Sequence, residues 1–259
     1  MTDEIAPNDT RALWRRLRQL TAARIGLPRS GASVATASLL EFQLAHARAR
    51  DAVHEQLDAD KLRADLAPLG LPVLVVDSAV GARRDYLMRP DLGRRLSRES
   101  EAALVPFAGR FDVVLAVADG FSARAVQTHA APVLSALLPQ LAAQGLSLAP
   151  LVIARHGRVA IGDVIARALG AESVAILIGE RPGLSAPDSM GAYLTWQPRP
   201  DTTDAGRNCI SNIRPEGIGY ADAAFKIGHL LHAMRTRQLS GVRLKDESER
   251  VLAPPDAGS

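Results

Sequence analysis

Apolar residues come as short unbroken runs in the second half of the chain and at wider, helical intervals elsewhere. Leu151-Val152-Ile153-Ala154 and Val174-Ala175-Ile176-Leu177-Ile178 flank a segment, Ile161 to Leu169, whose apolar positions recur with helical period. Short β-branched runs on either side of one helix predict a βαβ unit, because parallel strands are covered on both faces and need no alternation. Val73 to Val76 and Val113 to Val117 read as two further strands. Tyr193 to Trp196 predicts a short strand, and Arg207 to Ile213 mixes apolar and polar residues like a strand returning to the same edge.

Helices are predicted over Leu39–Leu57, Lys61–Leu66 and Ala221–Leu239, and over a long stretch after Ser122 that turns Val126, Val133, Leu137 and Leu141 toward the sheet. Ser97 and Ser122 are suited to cap the helices that follow them. Pro132 and Pro139 lie inside the long pattern, where proline predicts a kink or an early break. Asp85 to Arg95 reads as a turn-rich, charged connection, with Pro90 placed to start a short helix. Near the N-terminus Leu13, Leu17 and Leu20 share a helical face beside Trp14. That helix either docks on the body of the chain or serves as an address label or partner-binding arm.

The predicted fold is α/β: a Rossmann-like parallel sheet flanked by helices, preceded by a smaller, mostly helical N-terminal region. The chain divides into a tail and amphipathic helix (1–22), a helical region with one strand (23–105), a Rossmann-like domain (106–245) and a charged, then Pro- and Gly-rich tail (246–259). Residues 1–9 and that last tail are expected to be disordered.

Composition narrows the function. No apolar run approaches the about 18 residues of a membrane span, and the acidic, polar start lacks a secretory pattern, so a cytoplasmic protein is expected. The single cysteine excludes an intramolecular disulfide and a zinc site built from thiolates. Arginines cluster at Arg15-Arg16-Arg18, Arg83-Arg84 and Arg94-Arg95, yet no aromatic residues interleave with them as base stacking would need, so nucleic acid is not expected. There is no Gly-x-Gly-x-x-Gly, no Gly-Lys-Ser/Thr phosphate loop and no Gly-x-Ser-x-Gly elbow. His229 and His232 are the one close histidine pair, without carboxylates at ligand spacing, so no metal site is expected.

In open α/β sheets, ligands sit outside the carboxyl ends of the strands. Arg158, Val159 and Glu180 follow two of those ends. Glu180 is either a solvated or Arg181-paired strand exit, or a carboxylate that accepts hydrogen bonds from the amides of a large cofactor. Cys209, in a strand with no local activator, reads as a small buried hydrophobe rather than a thiolate nucleophile.

Six segments then carry a resemblance: Ala23 to Gly26, Arg89-Pro90-Asp91-Leu92-Gly93-Arg94-Arg95-Leu96-Ser97, Gly157-Arg158-Val159, Leu169-Gly170-Ala171-Glu172, Ile178 to Leu184, and Cys209-Ile210-Ser211-Asn212-Ile213. In their order and spacing, from Ala23 to about Leu244, the chain resembles the small subunit of ethanolamine ammonia-lyase. The resemblance implies an adenosylcobalamin enzyme that converts ethanolamine to acetaldehyde and ammonia. It implies a large barrel-type subunit that binds ethanolamine, with the small subunit covering the cobalamin from the other side. Position by position it implies that Val159, Glu180 and Cys209 bind the cofactor, with no catalytic residue of this chain's own. It also implies a place, in some bacteria, inside a protein-shelled microcompartment. Two readings from other classes stand beside it: a scaffold that only assembles partners, and a self-sufficient α/β enzyme with Glu180 as base and Cys209 as nucleophile.

Overall fold

The computed structural model describes residues 10–21 and 23–248. The tails read as disordered therefore lie outside the described residues, except for Asp246, Glu247 and Ser248. In chain order the elements are α1 (Thr10–Gln19), β1 (Arg29–Ser30), β2 (Ser33–Val34), α2 (Thr36–His54), α3 (Ala59–Leu66), β3 (Val73–Asp77), α4 (Arg83–Met88) and α5 (Arg98–Leu104). They continue with β4 (Phe111–Ala118), α6 (Ala123–Ala143), β5 (Leu151–Arg155), α7 (Ile161–Leu169), β6 (Ala171–Gly179), β7 (Met190–Trp196), β8 (Asn208–Ile213) and α8 (Tyr220–Arg237).

The main sheet has the strand order β3-β5-β4-β6-β7-β8. The first four run parallel, as the βαβ pattern predicts. The last two turn antiparallel, a departure from an all-parallel sheet. Its physical reason is in the connections. A parallel return needs a crossover of a dozen or more residues, usually a helix, whereas residues 180–189 and 197–207 carry no α-helix. The α/β class holds.

Helices cover the two faces of the sheet. On one, α6 and α8 bury Val126, Val133, Leu137, Leu141, Ile227 and Leu231 against odd-numbered positions of β4 and β5. On the other, α7 and α5 pack Ile161, Ile165 and Leu104 against Val114, Val152 and Ile176. Pro132 and Pro139 do not break α6, which runs unbroken as an α-helix through both. Each proline removes a helical bond, at about 3 kcal/mol. The fully buried apolar face of α6 contributes roughly 1.5–3 kcal/mol per large side chain and outweighs that cost. Ser97 and Ser122 cap α5 and α6, accepting from the amides of Ser100 and Ala125. The connection after β3 is more ordered than its sequence suggests: α4 is followed by a 3-10 turn at Leu92–Arg94.

Past Lys245 the described residues still belong to the packed body. Lys226 on α8 reaches Asp246 at 3.2 Å and the hydroxyl of Ser248 at 3.1 Å, and Ser248 is buried. The N-terminal helices are packed less. In α2 only Ala49 and Ala52 are buried, while Leu39, Leu40, Phe42 and Leu44 are exposed.

Candidate functional site

The carboxyl ends of β4, β5 and β6 meet at one edge, and close backbone packing sets the height of each chain exit there. Gly120, with φ +55°, ends β4. A side chain on it would strike the carbonyl oxygen of Gly179, and one on Gly179 would strike the carbonyl of Ser122. The amide of Phe121 donates to the Gly179 carbonyl at 2.9 Å, which fixes Phe121 at the edge. After β5, His156 takes φ +54°, and the amide of Gly157 then donates to Asp119 Oδ1 at 3.1 Å. The amide of Arg158 donates to the Gly93 carbonyl at 2.7 Å. The turn in the Arg89–Ser97 segment is thereby packed under Arg158.

A cavity of about 310 Å³ opens at this edge, lined by Tyr86, Phe121, Arg158, Val159, Ile178, Glu180, Arg181 and Tyr193, among others. The structure thus brings Val159 and Glu180 to one wall-bounded space. Cys209 does not line it. It sits lower on the same side of the sheet, in register with Tyr193, whose ring does line it. On this side α7 covers the parallel strands but not β8, so Cys209 and Ser211 stay exposed.

Glu180 is held more firmly than a solvated strand exit. One carboxylate oxygen accepts from Ser211 Oγ at 2.5 Å; the other accepts from Ser189 Oγ and from the amide of Asn212 at 3.2 Å. The carboxylate lies over Gly191, where any added Cβ would meet its oxygen at 2.9 Å. A clip of this kind joins the exit of β6 to the start of β7 and to β8. Arg181 is not an ion-pair partner of Glu180; its guanidinium lies over Phe121 instead, 4.9 Å from the ring centre.

Cys209 does not have the surroundings of a nucleophile. It is exposed at the sheet surface, and so is not the buried hydrophobe its sequence suggests. Partial desolvation by its neighbours still pushes its thiol up from the usual range, and the nearby Glu180 charge pushes it the same way against the hydroxyl of Tyr193. A thiolate is therefore disfavoured, and Glu180 has its oxygens engaged by three internal donors. Neither residue is prepared for the base-and-nucleophile reading.

Beneath the cavity, Arg83 and Asp119 form a buried ion pair at 3.4 Å. Arg83 also donates to the carbonyls of Gly120 at 2.8 Å and Val53 at 2.9 Å, tying α2 to the edge. Burial pushes the Asp119 carboxyl up, and Arg83 and His156 pull it down. Behind the loop between Glu180 and Ser189, His129 on α6 is buried between Tyr220, 2.9 Å from Nδ1, and Asp188, 3.7 Å from Nε2. Asp188 is in turn paired with Arg214 at 3.1 Å.

Sequence reasoning passed over Tyr193, Phe121, Ser189 and Ser211. A strand period of two puts Ser211 on the same face as Cys209, so that one was within reach. Phe121 and Tyr86 carried no pattern of their own. Among the described residues no group of histidine, cysteine and carboxylate side chains is placed to hold a metal, and no helix is long and apolar enough to cross a membrane.

The comparisons with known proteins agree with one another. A family model described as "Ethanolamine ammonia-lyase light chain (EutC)" matches residues 11–245. The chain is 54% identical over 243 residues to the ethanolamine ammonia-lyase small subunit of Rhodopseudomonas palustris (strain BisA53), covering 93% of each chain. It is 52% identical over 253 residues to the small subunit of Xanthomonas campestris pv. campestris (strain B100), covering 96% of this chain and 93% of that one. It is 53% identical over 250 residues to the small subunit of Azotobacter vinelandii (strain DJ / ATCC BAA-1303), covering 95% of this chain and 92% of that one.

Proposed function

This chain belongs to the ethanolamine ammonia-lyase small-subunit family, and from that premise we propose that it is the small subunit of an adenosylcobalamin-dependent lyase. It works with a large subunit that binds ethanolamine, and the complex releases acetaldehyde and ammonia. The observation that carries the reading is the cavity at the carboxyl edge, bounded by Val159, Glu180 and the Tyr193 ring that Cys209 backs.

The residues fit such a cofactor along one side only. A cavity of about 310 Å³ is too small to enclose a corrinoid, but it opens beside the uncovered face of β8. The buried Nε of Arg158 has no partner among the described residues, as expected of a donor reserved for a ligand. A large, amide-fringed cofactor then rests against this edge and is closed off from above by the partner. The exposed Leu39, Leu40, Phe42 and Leu44 on α2 support a partner surface on this chain.

When bound, adenosylcobalamin supplies the carbon radical that starts the reaction. This chain's own work is binding, orientation and exclusion of water. Glu180, fixed by Ser189, Ser211 and Asn212, offers its remaining acceptor capacity to amide hydrogens of the cofactor. Val159 and the Phe121 and Tyr193 rings supply apolar wall, and Cys209 stays a neutral thiol against the cofactor's rim. None of these groups takes or gives a proton to the substrate. We place the complex in the cytoplasm, within a microcompartment in cells that build one, with α1 as the segment that meets the shell.

The test is to purify this chain with and without its large subunit and to follow ammonia release from ethanolamine as adenosylcobalamin is added. Turnover is expected only with both subunits and cofactor. Activity of this chain alone, or a two-subunit complex that binds no cobalamin, would overturn the reading.

A further inference from the structure

The mouth of the cavity carries more positive charge than the chain itself neutralises. Arg83, Tyr86, Arg158, Phe121 and Arg181 form an alternating stack of guanidinium groups and rings, with successive cation-to-ring distances of 4.7, 4.1, 4.4 and 4.9 Å. Asp119 answers Arg83. Among the described residues no carboxylate lies within ion-pair distance of Arg158, Arg181 or Arg94. Arg158 donates Nη2 to the Tyr86 carbonyl at 2.8 Å, yet its Nε is buried without a partner among the described residues. The amides of Val159 and Ala160, just ahead of α7, donate to no acceptor among the described residues, and the start of that helix adds a further partial positive charge.

Such an arrangement is costly when empty. Burial pulls the Arg158 guanidinium down from its usual range, and Arg83, Arg181 and Arg94 push it the same way. The rings hold Arg158 flat and leave part of its fork free, which suits a group with two adjacent anionic oxygens better than a single point charge.

We infer that Arg158 and Arg181, with the amides ahead of α7, form an anion subsite that takes the phosphodiester of the cofactor's nucleotide tail. The inference rests on the cobalamin reading above. The amide side chains of a corrin ring are neutral, so the phosphodiester is the group on that ligand that calls for cations. Glu180, lining the same cavity, has the complementary task of accepting from the amides. Cations and carboxylate together therefore sort the cofactor's groups by charge and fix which way round it lies.

The experiment uses the two-subunit complex, titrated by absorbance with adenosylcobalamin and with adenosylcobinamide, which lacks the nucleotide tail. Arg181 is exposed, so Arg181→Gln leaves the fold intact; Arg158→Met keeps an unbranched stem between the two rings. Each substitution is expected to weaken adenosylcobalamin roughly tenfold, the worth of one charge-assisted hydrogen bond, while leaving adenosylcobinamide unchanged. Inorganic phosphate is expected to compete with adenosylcobalamin in the wild type but not in Arg181→Gln. Equal losses for both corrinoids, or no loss for either, overturn the subsite. So does phosphate that protects the complex against heat without competing, since a free anion would then be the occupant. A wild-type complex that binds no adenosylcobalamin at all overturns the functional reading instead.

Discussion

Ser211 Oγ donates to Glu180 Oε1 at 2.5 Å across the end of the sheet, so the same carboxylate that faces the cavity also fastens β8 to the exit of β6. Glu180→Gln therefore acts on two properties. Each charge-assisted bond that becomes neutral loses about 1 kcal/mol, so thermal unfolding should fall by several degrees as well as the cofactor affinity. Ser211→Ala removes one bond but keeps the charge, so it should lower the melting temperature with little change in affinity. Calorimetry and absorbance titration of both variants separate the two roles. Affinity in Glu180→Gln that falls no further than in Ser211→Ala would leave Glu180 as a clip alone.

Tyr193 and Cys209 face each other in register on neighbouring strands. The Tyr193 hydroxyl is the one influence that lowers the Cys209 thiol, against burial and Glu180. Tyr193→Phe should therefore slow alkylation of Cys209 by iodoacetamide at pH 8 several-fold, because a smaller fraction is thiolate. Bound cobalamin should protect Cys209 in the wild-type complex. Cys209→Ser nearly preserves the shape and should cost the cofactor less affinity than Glu180→Gln does. Alkylation at the same rate with and without cofactor would remove Cys209 from the contact.

Much of this site can be read from the chain, and the rest is hidden for identifiable reasons. Val159 and Glu180 stand out because they follow apolar runs, and strand ends are where ligands bind. Cys209 offers no such sign: it lies near the start of β8 rather than at a strand's carboxyl end, and only the family resemblance points to it. Phe121 and Tyr86 reach the cavity through a left-handed Gly120 and a short helix in a charged connection, features that leave no periodicity. The antiparallel turn of β7 and β8 was legible in principle, since connections without a helix cannot return a strand parallel. Pro132 and Pro139 predict a break on local cost alone, whereas the burial of α6 depends on tertiary packing that the local pattern does not show.

His129 gives the fold a pH dependence with a definite sign. Burial, the largest cause, and Arg214 hold its imidazole below the ordinary 6.5, against the pull of Asp188 and Glu216. Tyr220 completes its surroundings, 2.9 Å from Nδ1. A depressed histidine contributes stability above its unfolded value, and that contribution is lost as pH falls through 6.5 toward the folded value. The wild type's resistance to denaturant should therefore fall as pH drops below the ordinary 6.5. His129→Gln, which cannot titrate, should flatten that slope while lowering stability at pH 7. Parallel pH profiles for the two proteins would assign the dependence to other groups.

The N-terminal helix shows how a segment can be folded without belonging to the core. In α1, Trp14 packs against Gly26, and Arg18 donates to the Gly26 carbonyl at 2.6 Å, so the helix docks on the loop that follows it. Leu13 and Leu20 remain exposed, Leu20 at 79%. A ten-residue helix is marginal alone in water, and with Leu13 and Leu20 exposed much of its stripe is left for another surface. Deleting residues 1–20 should leave turnover and cofactor affinity of the two-subunit complex within about twofold, because no described residue of that segment lines the cavity. Fused to a fluorescent protein, the same segment should gather into foci in cells that build microcompartment shells and stay diffuse in cells that do not. Loss of cofactor from the truncated complex would show that α1 braces the site. Diffuse fluorescence in shell-building cells would rule out the shell as the surface that meets α1.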